Sequence, residues 1–212
     1  IDLMSVAFDT ADKYQCPVMI VADGMICQMM EPVELPEMHE YTVDLEKKPW
    51  AANGHGFSKK AGRTIINSMY INTEDLTVHN EDLQAIYRKI EANEVRYEAY
   101  NMENAEIIVT AFGTVARIAK SAIDELKEEG INIGMLRPIT LWPFPYKELH
   151  DAGTAPGVKA VLDVELNAGQ MLEDVKLAMN GDNKVDFFGH YGSQMPTPEE
   201  IKAKLLSMRE VL

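Results

Sequence analysis

The sequence predicts an α/β fold: a parallel sheet with helices on both faces. Over residues 104–212, short apolar runs alternate with amphipathic stretches, the pattern of parallel strands joined by right-handed helical crossovers. Several of these runs are apolar at nearly every position, as expected for strands buried on both faces. Glycine and proline separate the runs, which indicates a turn at each change of element.

The composition is that of an ordinary globular protein and excludes several classes of function. The 212 residues are 46% hydrophobic and carry a formal net charge of −14, so the phosphate backbone of nucleic acid is repelled and no nucleic-acid partner is expected. No apolar run reaches the roughly 18 residues of a membrane span, and no signal peptide is visible, so no membrane location is expected. Cys16 and Cys27 form no disulfide framework and no iron-sulfur ligand spacing, which fits a reducing cytoplasm.

The first elements are a helix and a strand that lack a sheet. Residues 2–14 show a helical stripe ending at Tyr14, and Pro17 stops the helix. PVMIVAD, residues 17–23, is a short apolar run that predicts a strand buried on both faces. A single strand cannot satisfy its backbone hydrogen bonds alone. We therefore expect sequence before Ile1 to belong to the same domain.

Residues 31–75 predict a long connection, with a short strand near residues 64–71. Residues 80–100 predict a long helix with Asn80 as its N-cap. Its apolar stripe is interrupted near Asn93, which indicates an arm or a partly exposed connector.

From residue 104 onward the elements alternate regularly. The predicted strands are AEIIVT, INIGMLRP, VKAVLDVE and KVDFFGH, and the predicted helices are residues 114–129, YKELHDAG, the stretch after NAGQ, and TPEEIKAKLLSMREVL. The last helix carries a complete capping box, with Thr197 as the cap and Glu200 three residues later.

The first strand-to-helix turn, AFGTVARIAKSA, contains a single glycine, Gly113. A dinucleotide site would require G-x-G-x-x-G at this place. The turn is therefore either a plain tight turn or, through the helix N-terminus, a weak anion site.

A second turn at a strand end, ELNAGQMLEDV, contains Glu165, Asn167 and Gln170. Ligands of open parallel sheets gather at the carboxyl ends of strands, so these side chains are candidates for binding. The alternative is a turn in which Asn167 is a local cap.

The loop RPITLWPFP places Trp142 and Phe144 between prolines, where the aromatic rings either cover the sheet edge or contact another subunit. Arg137 precedes this loop and pairs either with a ligand carboxylate or phosphate or with a structural carboxylate. Near the N-terminus, Met25, Met29 and Met30 fill a core or form the wall of a shared site.

The histidines are scattered, with no metal-ligand spacing, and no hydrolase, phosphate-loop or C-x-x-C motif occurs. From the chemistry of its residues alone, the chain shows no catalytic constellation.

A series of segments nevertheless resembles one family along nearly the whole chain. DGMICQMMEPVELPE, YRKIEANEVRYE, the long block from AFGTVARIAKSA to LWPFP, DVELNAGQMLEDVKLAMNG and PTPEEI appear in this order. The series resembles the alpha-type subunit of 2-oxoacid:ferredoxin oxidoreductases, nearest to the 2-oxoisovalerate type.

The resemblance implies an activity and a set of partners. Such enzymes oxidatively decarboxylate a 2-oxoacid, form acyl-coenzyme A and reduce ferredoxin, and the resemblance implies thiamine diphosphate with Mg²⁺ as the cofactor. It further implies a beta-type subunit that completes the cofactor site, gamma- and delta-type subunits, iron-sulfur clusters on partner chains and a cytoplasmic location.

The resemblance also implies a division of the chain. Residues 1–35 correspond to the end of a pyrimidine-binding domain, residues 36–103 to a linker with a long helix, and residues 104–212 to a domain similar to the C-terminal domain of transketolase. The family's catalytic glutamate lies upstream of Ile1, so no catalytic residue and no resident cofactor are assigned here. Asp23, Gln28 and Met29 are the candidates for one wall of the cofactor site, and the rest of the chain is expected to be structural and assembly-forming.

Two other functions remain open at this point. The strand-GT-helix-RP pattern also permits the C-terminal region of another thiamine enzyme, a transketolase or a dehydrogenase beta chain. A free-standing module that binds a nucleotide or coenzyme A at its strand edges is the alternative from a different class.

Overall fold

The computed structural model describes residues 1–35, 48, 50–51, 66–192 and 194–212. The chain forms two compact units: residues 1–18 with 31–88, and residues 19–30 with 89–212. Within the predicted linker, residues 36–47, 49 and 52–65 fall outside the described residues, and residues 66–71, where a short strand was predicted, are irregular. The domain boundaries given above stay a prediction.

The first unit is helical in its described part. Helix α1 spans Asp2–Tyr14 as predicted, and Gln15 ends it in the left-handed conformation with φ 54°. Helix α2 spans Thr73–Asn93 and continues into the second unit. It begins seven residues before the predicted cap, because the side chain of Asn72 accepts a hydrogen bond from the Glu74 amide at 3.0 Å and stabilises the earlier start. Asn80 lies inside the helix, so its prediction as the N-cap was wrong.

The apolar run at residues 17–23 contains no strand, so this prediction was wrong for the described chain. Val18, Met19, Ile20 and Val21 are 42–84% exposed. No described strand pairs with them, and an apolar run without a partner strand gains neither ladder hydrogen bonds nor burial.

The second unit contains a five-stranded sheet in the order β1-β3-β2-β4-β5. The strands are β1 (Tyr97–Tyr100), β2 (Ile107–Thr110), β3 (Ile133–Pro138), β4 (Ala160–Glu165) and β5 (Lys184–Gly189). The pairs β2–β3, β2–β4 and β4–β5 are parallel, which confirms the predicted fold class.

Strand β1 corrects the sequence prediction. Residues 97–100 were predicted as the end of a helix, yet they pair antiparallel with β3, with Tyr97 opposite Pro138. The preceding residue, Arg96, fixes this pairing further, since its carbonyl accepts hydrogen bonds from the amides of Ile139 and Thr140 at 2.9 and 3.1 Å. A long-range partner therefore overrode the local helical pattern.

Helices cover both faces of the sheet. On one face, α3 (Gly113–Glu128) and α6 (Pro198–Val211) pack on a core that includes Val109 and Leu162. On the other face, α4 (Tyr146–Gly153) and α5 (Met171–Met179) pack on a core that includes Ile108 and Val161. Alternate side chains of β2 and β4 thus pack into the cores on opposite faces of the sheet. None of the helices in the described part of the chain combines the length and hydropathy needed to cross a bilayer.

Candidate functional site

The direction of the strand order reverses between β2 and β4, and their carboxyl ends lie at one edge of the sheet. Strand β2 has β3 on one side and β4 on the other, while the helices that follow β2 and β4 lie on opposite faces. Open parallel sheets bind ligands at such a reversal of strand order. Gly113 and Glu165, both predicted as candidates, lie at this edge.

The turn after β2 is closed by a carboxylate from a distant segment. Asp23 Oδ2 accepts a hydrogen bond from the Thr114 amide at 2.8 Å, and Asp23 Oδ1 accepts one from Thr114 Oγ1 at 2.8 Å. Asp23 Oδ1 also accepts from the Ile26 amide at 2.9 Å. The N-terminus of α3 is therefore capped by the chain's own anion.

Electrostatics keep the Asp23 cap ionised. Burial acts to raise the pKa of this carboxyl, but the hydrogen bonds from Ile26 and Thr114 together outweigh it and hold the pKa below its ordinary value. An external anion at the start of α3 would have to displace this carboxylate. Of the two alternatives for Gly113, the structure favours a capped tight turn over an anion site.

The turn after β4 is closed in the same manner from within the turn itself. The buried Glu165 carboxylate accepts from the amides of Met171 and Leu172, each at 3.0 Å, and from Asn167 Nδ2 at 2.9 Å. Asn167 Oδ1 accepts from the amides of Gly169 and Gln170 at 2.7 and 2.9 Å. Asn167 is thus a local cap, and Glu165 occupies the N-terminus of α5.

A buried acid in β4 was missed by the sequence analysis. Asp163 is 0% exposed, and neither of its carboxyl oxygens receives a hydrogen bond from a donor. Burial, followed by the neighbouring Glu165 carboxylate, raises the pKa of Asp163 to about 9. At neutral pH this carboxyl is therefore protonated. Two acids at alternate positions of an otherwise apolar strand, as in VLDVE, were the signal available in the sequence.

Thr110 belongs to the same buried polar group. It lies opposite Asp163 in the register of β2 and β4, and its hydroxyl is also buried without a hydrogen-bond partner among the described residues. Beneath the surface, the carboxyl edge thus contains the protonated Asp163, the buried Glu165 carboxyl group and the Thr110 hydroxyl.

The three predicted wall residues have different surroundings. Asp23 is bound at the sheet edge as described, whereas Gln28 ends a short 3-10 helix, Ile26–Gln28, and is exposed. Met29 follows and is 45% exposed. In the described part of the chain, no three His, Cys, Asp or Glu side chains come together as a metal site. Their assignment to one wall of a cofactor site stays a prediction.

Arg137 forms an ion pair within the chain, and the two aromatic side chains of the proline-rich loop differ in burial. Arg137 Nε donates to Glu98 Oε2 at 2.8 Å, and Lys120 contacts the other oxygen of Glu98, so the structural ion pair is the correct alternative. In the loop, Phe144 is buried in the core beside α4, whereas Trp142 is 55% exposed.

Comparison with known proteins assigns both parts of the chain. Residues 1–99 match the family described as pyruvate flavodoxin/ferredoxin oxidoreductase, thiamine diphosphate-binding, and residues 105–201 match pyruvate:ferredoxin oxidoreductase core domain II. Ketoisovalerate oxidoreductase subunit VorB of Methanothermobacter marburgensis is 38% identical over 96% of this chain and 56% of its own length. The 2-oxoglutarate synthase subunit KorA of Methanocaldococcus jannaschii is 27% identical over 97% of this chain and 60% of its own length.

A solved structure shares the fold. The 2-oxoglutarate:ferredoxin oxidoreductase from Magnetococcus marinus, solved with 2-oxoglutarate, coenzyme A and succinyl-CoA bound, superposes with a TM-score of 0.55 at 19% identity. The match covers 69% of this chain and 25% of that chain. This chain thus spans little more than half the length of the VorB and KorA relatives.

Proposed function

This chain belongs to the family of 2-oxoacid:ferredoxin oxidoreductases, and we propose that it is the C-terminal part of the alpha-type subunit of a branched-chain enzyme. The observation that carries the proposal is the identity along nearly the whole chain. It is 38% to a subunit named for ketoisovalerate and 27% to one named for 2-oxoglutarate.

The complete enzyme would oxidatively decarboxylate 2-oxoisovalerate, transfer the acyl group to coenzyme A and pass two electrons to ferredoxin. Thiamine diphosphate with Mg²⁺ supplies the carbanion chemistry when bound. Iron-sulfur clusters on partner subunits would carry the electrons.

Within this enzyme the chain has a structural and assembly role. The exposed apolar run at residues 18–21 supports this, since Met19 is 84% exposed and Val21 66% exposed. In the complete subunit this run would pair with strands contributed by the preceding sequence. Beta-type, gamma-type and delta-type subunits complete the proposed assembly, which works in the cytoplasm.

The free-standing module that binds a nucleotide or coenzyme A is not favoured. The phosphate groups of such a ligand would bind at open helix N-termini at the carboxyl edge. Asp23 and Glu165 occupy the N-termini of α3 and α5. The long match to ferredoxin oxidoreductase subunits also speaks against another kind of thiamine enzyme.

The test is an assay of the complete complex, purified anaerobically. Coenzyme A-dependent reduction of viologen is measured with 2-oxoisovalerate, 2-oxoglutarate and pyruvate in parallel. We expect the highest kcat/KM with 2-oxoisovalerate. A preference for 2-oxoglutarate or pyruvate would overturn the substrate assignment, and no activity with any of the three, despite bound thiamine diphosphate and clusters, would overturn the reaction class.

A further inference from the structure

Residues 19–30 belong to the same compact unit as the sheet. They lie within the part of the chain that matches the thiamine diphosphate-binding family, whereas strands β2 to β5 lie within the part that matches core domain II. Sequence of one family domain is therefore built into the unit formed by the other. A specific set of contacts has to hold it there.

The Asp23 carboxylate supplies these contacts. It bridges the Ile26 amide in its own segment and both the amide and the hydroxyl of Thr114, which is 91 residues away. Hydrogen bonds to an ionised acceptor are stronger than neutral ones, and the helix N-terminus adds a favourable dipole. Both carboxylate oxygens are thereby engaged.

Gly113 leaves the space that this contact needs. A Cβ at Gly113 would lie 2.6 Å from Asp23 Oδ2, well inside van der Waals contact, and the residue has a φ of +61°. Gly130 has a similar left-handed φ of +79°, yet a Cβ there would meet nothing within 4 Å. The close approach of Asp23, rather than the turn alone, therefore distinguishes Gly113.

We propose that Asp23 is a positioning residue that fixes residues 19–30, including Gln28 and Met29, at the carboxyl edge of the sheet. Its consequence for the cofactor rests on the proposed function: the fixed segment forms one side of the thiamine diphosphate site. Asp23 itself is then a structural ligand of Thr114 and does not touch the cofactor.

The first test is hydrogen exchange by mass spectrometry on the complete subunit within its purified complex. We expect Asp23→Ala to raise amide exchange about tenfold or more in residues 24–30 and in the first turn of α3, with β4 unchanged. Thr114→Val, which keeps the amide and loses the hydroxyl, should raise exchange in residues 24–30 to a smaller extent. Asp82→Ala, an exposed position on α2, is the control for removing a carboxylate.

Asp23→Asn keeps one acceptor oxygen and should restore part of the protection, which separates the hydrogen bonds from a general loss of folding. The proposal is overturned if Asp23→Ala leaves both peptides protected. It is also overturned if Thr114→Val changes exchange only in its own peptide, because Asp23 would then stabilise a local turn alone.

The glycine pair tests the close approach. Gly113→Ala should increase exchange in residues 24–30, whereas Gly130→Ala, with the same backbone penalty, should not. In an Asp23→Ala background the two substitutions should become equivalent for that peptide. Equal effects in the wild-type background would overturn the proposed contact.

The second test measures the cofactor. In the same complex, Asp23→Ala should raise the thiamine diphosphate concentration for half-maximal activity several-fold with a smaller change in kcat, and Asp23→Asn should restore part of it. Altered exchange with unchanged half-saturation would overturn the cofactor consequence. If the wild-type complex has no thiamine-dependent activity, the proposed function fails, whereas the exchange experiment still decides the positioning role.

Discussion

Two apolar runs of similar composition have different outcomes in this molecule. AVLDVE, residues 160–165, is strand β4, buried at every position between β2 and β5. PVMIVAD, residues 17–23, has the same mixture of branched aliphatic residues and a terminal acid, yet it is exposed and contains no strand. The comparison teaches that a buried parallel strand is a property of its neighbours as much as of its own residues.

The acids in these two runs differ correspondingly. Asp23 is held by donors and is ionised, whereas Asp163 lies in the sheet interior without a donor and carries a proton. At neutral pH, Asp23 is therefore negatively charged and Asp163 is neutral.

The largest expected effect is the difference in stability between an alanine substitution in the buried sheet and one in the exposed run. In the 212-residue chain, Ile108→Ala, at a residue 1% exposed in β2, should lower the free energy of unfolding by about 2–5 kcal/mol through lost burial and a cavity. Ile20→Ala, at a residue 45% exposed, should cost less than about 0.5 kcal/mol. Chemical denaturation of both variants measures the difference.

The same pair sharpens the comparison in the complete subunit. There Ile20→Ala should become costly, approaching the effect of Ile108→Ala, because the proposed function places this run against strands from another part of the complete subunit. If Ile20→Ala remains harmless in the complete subunit, the run is a surface segment and the comparison fails.

The next largest effect concerns Asp163. Its pKa rises from 3.8 in the unfolded chain to about 9 in the folded protein, so the folded state holds more protons between these values. This contribution to stability is fully present below pH 4 and is lost as the pH rises through 9. Asp163→Asn is neutral without taking up a proton, so at pH 7 it should raise the free energy of unfolding by about 2–4 kcal/mol.

The measurement for Asp163 is a series of denaturation curves between pH 5 and pH 9. The slope of the free energy of unfolding against pH should correspond to about one proton fewer in Asp163→Asn than in the wild type. Asp82→Asn is the surface control for removing one charge. If the free energy of unfolding of the wild type and of Asp163→Asn changes equally with pH between pH 5 and pH 9, the raised pKa of Asp163 is contradicted.

The smallest effect tests an element that depends on no distant neighbour. Thr197 Oγ1 accepts from the Glu200 amide at 3.2 Å, and the Glu200 carboxylate accepts from the Thr197 amide at 2.8 Å. Thr197→Ala should cost about 1 kcal/mol, equally in the 212-residue chain and in the complete subunit. A cost that differs between the two, unlike the expected behaviour of Ile20, would mean that this cap also depends on surrounding sequence.

The sequence by itself determined the elements whose signals are local. The helix at residues 2–14, the four parallel strands, the left-handed stop at Gly130 and the capping box at Thr197 all follow from periodicity and from side chains within a few residues. The fold class follows from the alternation of strands and helices. A parallel sheet in turn predicts that ligands bind at the carboxyl ends of its strands, which is why this edge is the candidate site.

Only the tertiary structure decided what depends on distant partners. Residues 97–100 continued a helical pattern and became a strand because β3 was available to pair with them. Residues 17–23 had a strand pattern and found no partner. The Asp23 carboxylate caps a helix 91 residues away, a contact that no local pattern predicted. Asp163 is protonated because folding buries it next to Glu165. Ladder hydrogen bonds and desolvation arise between residues far apart in the chain, so no local pattern specifies them.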